Sequence, residues 1–140
     1  EVYQLTGKPL SHWQREHGFQ ENPYSVLQVG LSRERAELYD RINRRSEEMI
    51  RAGLLDELRT LVDRGFGLEL KPLQSVGYRQ MGAVLRGILA LADGLEEMKQ
   101  ETRHLAKRQL TWFRRDQTIR WFHPERQARE IVETVGEFVP

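Results

Sequence analysis

The 140-residue sequence contains no cysteine, which excludes disulfide bonds, thiolate metal sites and a cysteine nucleophile. It also lacks an apolar run long enough to cross a membrane and any recognisable secretory signal peptide, so we expect a cytoplasmic protein. Net charge is nearly absent, because 22 Lys and Arg face 21 Asp and Glu, for a formal charge of +1. Any attraction for a polyanion must therefore come from a local cluster of cations.

Recognisable catalytic motifs are missing as well. The sequence has no glycine-rich phosphate loop, nucleophile elbow or paired-carboxylate signature. Its four histidines, at positions 12, 17, 104 and 123, have no metal-ligand spacing, so we predict no metal site. No residue is a convincing general base, and the chain begins without Met. We therefore expect a piece of a longer protein, incomplete as an enzyme.

The pattern of apolar and turn-forming residues predicts a mainly α-helical chain with two short strands. The strands are expected at residues 25–31 and 118–122. Helices are expected at 11–17, 33–52, 54–64, 72–86, 94–115 and 125–138, with a turn at 6–9 and a loop at 18–23. Ser11 and Ser32 are the expected caps of the first two helices. Two strands so far apart make a marginal sheet, so we expect its other strands to lie outside this chain.

The basic segment, Thr102–Arg115, contains five Lys and Arg residues and no Asp or Glu. Solvated helices usually mix carboxylates among their cations, because opposite charges four residues apart stabilise a helix. The uninterrupted positive charge therefore favours an anion-binding surface. Trp112 and Phe113 add the aromatic groups typical of single-stranded RNA binding. Alternatively, these two aromatic residues belong to the core, beneath a solvated basic edge.

Three arginines lie on or near the apolar face of the helix expected at residues 33–52. Arg35 projects near the middle of that face, and Arg45 lies at its edge, one turn from Arg41. Guanidinium groups suit a multiply charged anion, because their planar fork makes bidentate contacts with phosphate oxygens. Alternatively, Arg35 lays its stem over the core and exposes its head, or it pairs with a carboxylate. For Arg33, pairing with Glu37 is the simpler expectation.

The segment Gln74–Gln80 is expected in the first turns of the helix that follows Pro72. Unpaired backbone N–H groups at a helix start bind phosphate, and Gly77 would permit close approach of a ligand. Tyr78 would then stack on a base and Arg79 would contact the sugar-phosphate chain. The alternative is a glycine at a helix crossing, with Tyr78 in the core.

Five blocks of this sequence, in order, resemble the tRNA dimethylallyltransferases. They are Leu5–Ser11, Arg35–Arg45, Met49–Glu57, Gln74–Arg79 and Thr102–Arg114. Together they cover the chain from residue 1 to about residue 122 at the family's spacings. One such block would be weak, whereas five in order are a specific match. The sequence departs from the family at positions 46 and 47, where Ser-Glu replaces the common Val-Asp and puts a polar group on an apolar face.

The resemblance implies a P-loop-type α/β core with a helical insertion that grips the tRNA anticodon stem-loop. Residues 1–22 would be the end of the insertion, and residues 23–140 the C-terminal part of the core, with an incomplete sheet. The family transfers dimethylallyl from dimethylallyl diphosphate to N6 of the adenosine 3′ to the anticodon, using Mg²⁺. Its phosphate loop and proposed catalytic Asp lie in an N-terminal half that this chain lacks. We therefore expect no catalytic residue and no metal ligand here, and an inactive fragment.

Matched positions in the family also imply roles for individual residues. Arg45 is expected to bind the diphosphate, supported by Arg41 and Arg35. The residues expected to contact tRNA form two blocks, which are Gln74, Ser75, Val76, Gly77, Tyr78 and Arg79, and then Lys107, Arg108, Gln109, Thr111, Trp112 and Arg114. The implied partners are the tRNA anticodon stem-loop, dimethylallyl diphosphate and the missing N-terminal half of the same protein.

Two other functions remain as alternatives. The first is a non-catalytic helical RNA-binding module, which strong binding of an anticodon stem by the isolated chain would support. The second is a related isopentenyltransferase that acts on free adenine nucleotide. The basic segment disfavours the second, because a free nucleotide needs no such long RNA-binding track.

Overall fold

The computed structural model describes residues 1–18 and 24–139, and this part of the chain is mainly α-helical, as predicted. The predicted domain boundary between residues 22 and 23, and positions 19–23 of the loop predicted at 18–23, lie outside the described residues. The elements, in chain order, are α1 (Val2–Thr6), α2 (Leu10–His17), β1 (Gln28–Leu31), α3 (Arg35–Arg51), α4 (Leu54–Asp63), a 3₁₀ helix (Lys71–Gln74), α5 (Tyr78–Leu85), α6 (Leu91–Phe113), β2 (Ile119–Phe122) and α7 (Ala128–Phe138). No helix in the described ranges has both the length and the apolar character needed to cross a membrane.

The two strands pair with each other in parallel, so both carboxyl ends lie at the same edge. Gln28 is opposite Ile119, and Leu31 is opposite Phe122. The Ser32 N–H extends the ladder by donating to the Phe122 carbonyl at 2.9 Å. Ser32 therefore does not cap a helix, contrary to the prediction, because its backbone belongs to the sheet. As a result, α3 begins only at Arg35, after Glu34.

Position 30 in β1 is glycine because β2, the strand opposite it, leaves no room for a side chain there. A Cβ atom at this position would lie 2.7 Å from Ile119 Cγ2 and 2.7 Å from Trp121 Cε3. Carbon atoms do not approach so closely, so a larger residue would push the indole of Trp121 away from the sheet. The missing side chain is therefore what allows Trp121 to lie against β1.

A small hydrophobic core joins α4, α5 and the first half of α6. Its buried members are Leu54, Leu58, Leu73, Met81 and Met98. The buried Gly94 lets α6 approach α5, because a Cβ there would lie 2.7 Å from Val84 Cγ2 and 3.3 Å from Met81 Cε. The first half of α6 therefore belongs to the core, whereas Phe113 at its end is exposed.

The single helix predicted at residues 72–86 is wrong, because Gly77 divides it. Gly77 has φ +100°, a left-handed conformation that favours glycine and cannot continue an α-helix. The chain forms a 3₁₀ turn over Pro72 and then restarts as α5 at Tyr78. The Gln80 side chain accepts a hydrogen bond from the Gly77 N–H at 2.9 Å, which stabilises the new helix start. The predicted Ser11 cap is also wrong, since α2 begins one residue earlier, after Pro9.

Polar contacts fix α3 to the first half of α6. Lys99 is only 8 % exposed, and its ammonium lies 2.8 Å from Glu47 and 2.7 Å from Glu96. These carboxylates raise the pKa of Lys99, which keeps the buried group charged. Arg103 donates to the Asn43 side chain at 2.6 Å. The cations in this half of α6 are therefore occupied by structural partners.

Arg33 joins α3 to the turn that follows β2. Its guanidinium hydrogen-bonds Glu37, as predicted, and also Glu125, which is 92 residues away in sequence. Its side chain is 13 % exposed, so the contact is shielded from solvent on the Arg33 side. The hydrogen bonds from Arg33 lower the pKa of both carboxyl groups below the ordinary value of 4.5.

We expect Gly94→Ala to destabilise the protein by up to about 2 kcal/mol. The clash with Val84, a stiff β-branched residue, costs about 1–3 kcal/mol and outweighs the better helix propensity of alanine, about 1 kcal/mol. The matched control is Gly136→Ala in α7, where a Cβ would meet nothing within 4 Å and the propensity gain should remain. Urea unfolding would measure both changes. Equal stability of the two variants would contradict the close helix crossing.

The stability of the protein should fall in acid through the Arg33 contacts. A carboxyl group with a lowered folded-state pKa stabilises the protein above its unfolded pKa, and the contribution is lost as pH falls through the folded value. We therefore expect the free energy of unfolding to fall between about pH 5 and pH 3, and to fall less steeply in Glu37→Gln/Glu125→Gln. Urea midpoints at several pH values measure this slope. The control variant, Glu97→Gln/Glu137→Gln, should keep the wild-type slope.

Candidate functional site

A cleft of about 880 Å³ opens beyond the carboxyl ends of β1 and β2. Ser32 and Arg33, which follow β1, line one part of it, and His123, which follows β2, lines another. The first turn of α3 and the last turns of α6 complete the walls. Open α/β sheets commonly bind ligands at this edge, where loops and helix starts converge.

Positive charge dominates this cationic cleft. The cationic lining residues are Arg33, Arg35, Lys107, Arg114 and Arg126, whereas Glu34 is the acidic lining residue. Glu37 and Glu125 neutralise Arg33. None of the other four cations forms an ion pair with a carboxylate in the described ranges. The cleft therefore has the electrostatic character of an anion site.

The starts of two helices add to the positive electrostatic potential of the cleft. The residues that precede α3 and α7, Glu34 and Gln127, both line the cleft, and neither helix has a side-chain cap. The first N–H groups of each helix point out of its N-terminal end, along the axis, and have no partner within the helix. The helix dipole is positive at that end. Backbone and side chains therefore favour the same ligand, a group with several anionic oxygens.

The structure does not bring the three predicted diphosphate ligands into one cavity. Arg35 lines the cleft, with its guanidinium stacked on the Tyr39 ring at 5.1 Å from the ring centroid. Arg41 lies 3.8 Å from Glu125, and Arg45 is exposed and absent from the described lining. Ten helical residues separate Arg35 from Arg45, a rise of about 15 Å. Arg35 is exposed, which agrees with the alternative that its stem lies over the core and its head is in solvent.

The basic segment presents two different faces. Lys107, Thr111 and Arg114 face the cationic cleft. Arg108 and Trp112 face an adjoining shallow groove along α6, which Lys107 and Thr111 also line, together with His104 and Arg115. Trp112 is 68 % exposed and packs edge-to-face on Phe113 at 4.9 Å, so the alternative that both aromatic residues are core is wrong.

Gln109 points to a third place, an apolar groove against the sheet. This groove is lined by Gly30, Leu38, Phe113 and Trp121 as well as Gln109. Gln109 therefore lies apart from the other predicted RNA-contacting residues of α6.

The block Gln74–Arg79 lies apart from the cationic cleft and makes mainly structural contacts. Gln74 donates to the Leu68 carbonyl at 2.6 Å, and Ser75 donates to the Pro72 carbonyl at 2.7 Å. Val76 is half-buried, and Gly77 is buried beside Leu54 and Met98. These contacts fit the alternative prediction of a glycine packed against a neighbouring helix.

Tyr78 and Arg79 complete this block at its exposed side. Tyr78 packs against the core, and its hydroxyl donates to Glu57, which raises the pKa of Tyr78. Arg79 is exposed and lies 3.6 Å from Glu101 on α6. The block therefore stands next to α6, and its cation, Arg79, is paired with Glu101 at the exposed side.

Glu37, His123 and Glu125 come together although they are far apart in sequence. One ligand atom from each lies within 4.8 Å of the others, an arrangement that could hold a metal ion. The histidine spacing alone did not indicate it. However, the Arg33 guanidinium already binds both carboxylates, and most charged residues of the adjoining cleft are cations. This set of ligands does not suit Mg²⁺, which prefers several free oxygen ligands.

Arg126 was missed by the sequence interpretation. It follows β2 closely and lies outside the resembling blocks, so no motif marked it. One indication was available in its position, since residues after a parallel strand gather at the ligand-binding edge of a sheet.

Comparison with known proteins places these features in a family. A sequence model described as IPP transferase matches residues 1–116. A tRNA dimethylallyltransferase of Syntrophobacter fumaroxidans is 52 % identical over 122 residues, which is 87 % of this chain and 36 % of the relative. Another, from Pelobacter propionicus, is 50 % identical over 139 residues, covering 99 % of this chain and 45 % of the relative.

Solved structures show the same likeness in three dimensions. The tRNA delta(2)-isopentenylpyrophosphate transferase of Staphylococcus epidermidis superposes with a TM-score of 0.76 at 34 % identity, over 97 % of this chain and 46 % of that one. The tRNA isopentenylpyrophosphate transferase of Bacillus halodurans gives a TM-score of 0.77 at 31 % identity, over 97 % and 50 %. The chain thus spans half or less of these relatives. It belongs to the IPP transferase family.

Proposed function

We propose that this chain is the C-terminal part of a tRNA dimethylallyltransferase. The whole protein would move a dimethylallyl group from dimethylallyl diphosphate to N6 of the adenosine 3′ to the anticodon. The curated relatives named above carry that activity in their names. The observation that supports it most directly is the cationic cleft, where Arg35, Lys107 and Arg114 stand without ion-pair partners in the described structure.

We assign the cationic cleft to phosphate groups of the RNA. Its cations come from α3 and α6 and face a cavity of about 880 Å³, which is wide enough for a nucleotide chain. Phosphate contacts of this kind position an RNA without reading its sequence. In the adjoining groove along α6, the exposed Trp112 would stack on an unpaired base, with Arg108 beside it. Arg79 and its block would contact the RNA next to α6.

We assign the diphosphate to Arg45, supported by Arg41 on the next turn. Ten residues of helix separate Arg45 from the cleft-lining Arg35, so one compact diphosphate would not contact both side chains. In the reaction, the exocyclic amine of adenine attacks the allylic carbon as the carbon–oxygen bond to diphosphate breaks. Negative charge accumulates on the leaving oxygen, and a guanidinium placed there lowers the barrier. The base must leave its stack to reach the allylic carbon.

Other parts of the reaction would belong to residues outside this chain. Because the Glu37–His123–Glu125 group is occupied by Arg33, we propose that Mg²⁺, the phosphate loop and the general base are supplied by an N-terminal half. The isolated 140-residue chain would then be inactive. We also propose that the protein is cytoplasmic, where tRNA is modified.

A non-catalytic RNA-binding module is the second candidate, and the exposed pair of Trp112 and Phe113 beside the free cations supports it. A transferase assay on the full-length protein separates the two. Transfer of dimethylallyl to tRNA supports the enzyme, whereas tight binding of an anticodon stem-loop without transfer supports the module. Transfer to free adenine nucleotide instead of tRNA would support the nucleotide isopentenyltransferase.

We expect Lys107→Ala and Arg114→Ala each to weaken binding of an anticodon stem-loop RNA by the full-length protein. Loss of one phosphate contact should lower the slope of log K against log salt by about 0.7–0.9 and reduce affinity several-fold. Filter binding or fluorescence anisotropy in a salt series measures both. The matched control is Arg64→Ala, which removes an exposed cation after α4. A salt slope equal to wild type in both cleft variants would show that these residues form only a solvated face.

We expect Arg45→Ala to reduce kcat in the full-length enzyme by about 10²-fold, because a charge-assisted contact to the leaving diphosphate is worth about 3 kcal/mol. Its affinity for the stem-loop RNA should stay near wild type. The neighbouring Arg44→Ala removes an equally exposed cation from the same helix and should leave turnover unchanged. Steady-state rates with dimethylallyl diphosphate and tRNA measure this change in kcat. Normal turnover of Arg45→Ala would exclude the proposed role of Arg45 in binding the diphosphate.

A further inference from the structure

The turn between β2 and α7, residues 123–127, supplies Arg126 to the cationic cleft. Arg126 belongs to a different element from the cations of α3 and α6, and it lies beyond residue 116, where the match to the family model ends. Resting on the proposed function, we infer that this turn is a phosphate-binding element. It would hold one phosphate group with the Arg126 guanidinium and the free backbone N–H groups at the start of α7.

Three hydrogen bonds give the turn a fixed shape. The His123 N–H donates to the Gln127 side chain at 2.7 Å, and the Gln127 N–H donates back to the His123 carbonyl at 3.0 Å. The Arg126 N–H donates to Nδ1 of His123 at 3.2 Å. Since Nδ1 accepts, the other ring nitrogen carries the proton and faces Glu37 at 3.3 Å. The backbone around Arg126 is therefore ordered before any ligand binds.

The start of α7 adds backbone donors to the same place. Gln127 lines the cleft and precedes the first helical residue, Ala128, and its side chain is directed to His123 and Glu130 rather than to a helix N–H. The first backbone bond inside the helix runs from the Ile131 N–H to the Gln127 carbonyl, so the N–H groups before it have no partner within the helix. Such a helix start binds phosphate when a cation stands beside it.

Local acids do not cancel this attraction. Glu125 in the same turn and Glu37 on α3 both lie close, but each is bound by Arg33. Arg126 itself has no ion pair among the described side chains. Glu130 in the first turn of α7 accepts a hydrogen bond from Gln127. Arg33 therefore assists phosphate binding indirectly, because it binds the two carboxylates that would otherwise compete with a phosphate.

The phosphate could belong to the RNA chain or to dimethylallyl diphosphate, and the two sources differ in their kinetics. In the full-length protein, Arg126→Gln removes the cation and keeps a polar side chain. If the phosphate belongs to RNA, affinity for an anticodon stem-loop RNA should fall about tenfold and its salt slope should fall by about 0.7–0.9. If it belongs to the diphosphate, RNA binding should be unchanged and KM for dimethylallyl diphosphate should rise about tenfold.

Arg129→Gln is the matched control. It removes the same charge three residues further along, from a side chain that is 93 % exposed and pairs with Glu133 on the outer face of α7. This variant should bind RNA and dimethylallyl diphosphate as the wild type does, and Arg126→Lys should keep the wild-type salt slope. The inference is overturned if Arg126→Gln matches Arg129→Gln in both measurements. Failure of the wild-type protein to transfer dimethylallyl to tRNA would instead refute the proposed function, while the RNA-binding comparison would still stand.

Discussion

Arg33 follows the end of β1, and its guanidinium binds two carboxylates, Glu37 on α3 and Glu125 beyond β2. This contact determines where α3 starts relative to the turn at residues 123–127, and so it positions two walls of the cationic cleft. It also reduces the negative charge at the edge of the cleft, because the single guanidinium occupies oxygens of both carboxylates and offsets one of their two charges. Without Arg33, the same two glutamates would face Arg126 and Arg41 and would compete with any anion. The Arg33 guanidinium therefore affects both the shape of the cationic cleft and its electrostatic potential.

Helix α6 combines two roles along its 23 residues. In its first half, Gly94 and Met98 pack in the core, and Lys99 and Arg103 are bound to α3. In its second half, the cations have no such partners and face open cavities on two sides. Rigid packing of one half thus holds the cations of the other half at defined positions. Ligand binding then loses little side-chain and backbone entropy, which is the physical benefit of building a site on a packed helix.

The sequence allowed the long, strongly patterned elements to be predicted, and it failed where distant residues decide the structure. The existence of α3, α4 and α6 and the Arg33–Glu37 pair followed from local spacing, and these predictions are confirmed. The Ser32 cap was wrong because its N–H bonds Phe122, about ninety residues away, and no local pattern reveals such a partner. Gly77 split a predicted helix because a single φ overrode the helical pattern around it.

The candidate site, too, could be predicted only where local sequence decides the structure. Arg35, Lys107 and Arg114 were identified as anion ligands from charge pattern and resemblance, and the fold brings them to one cleft. Arg126 and the paired acids depend on contacts between β1, α3 and the end of β2, which only folding creates. The diphosphate and tRNA roles of the individual residues remain predictions, because no ligand reports on them. Charge pattern thus indicates candidate ligands, whereas their grouping is a tertiary property.

Trp121 lines both the cationic cleft and the adjoining apolar groove, together with Leu38 and Leu110. Its indole lies where the two cavities meet and rests on Gly30, where no side chain intervenes. Filling either cavity would change the surroundings of this ring, so its fluorescence would serve as a built-in optical reporter of occupancy. The glycine behind it leaves the ring free to respond.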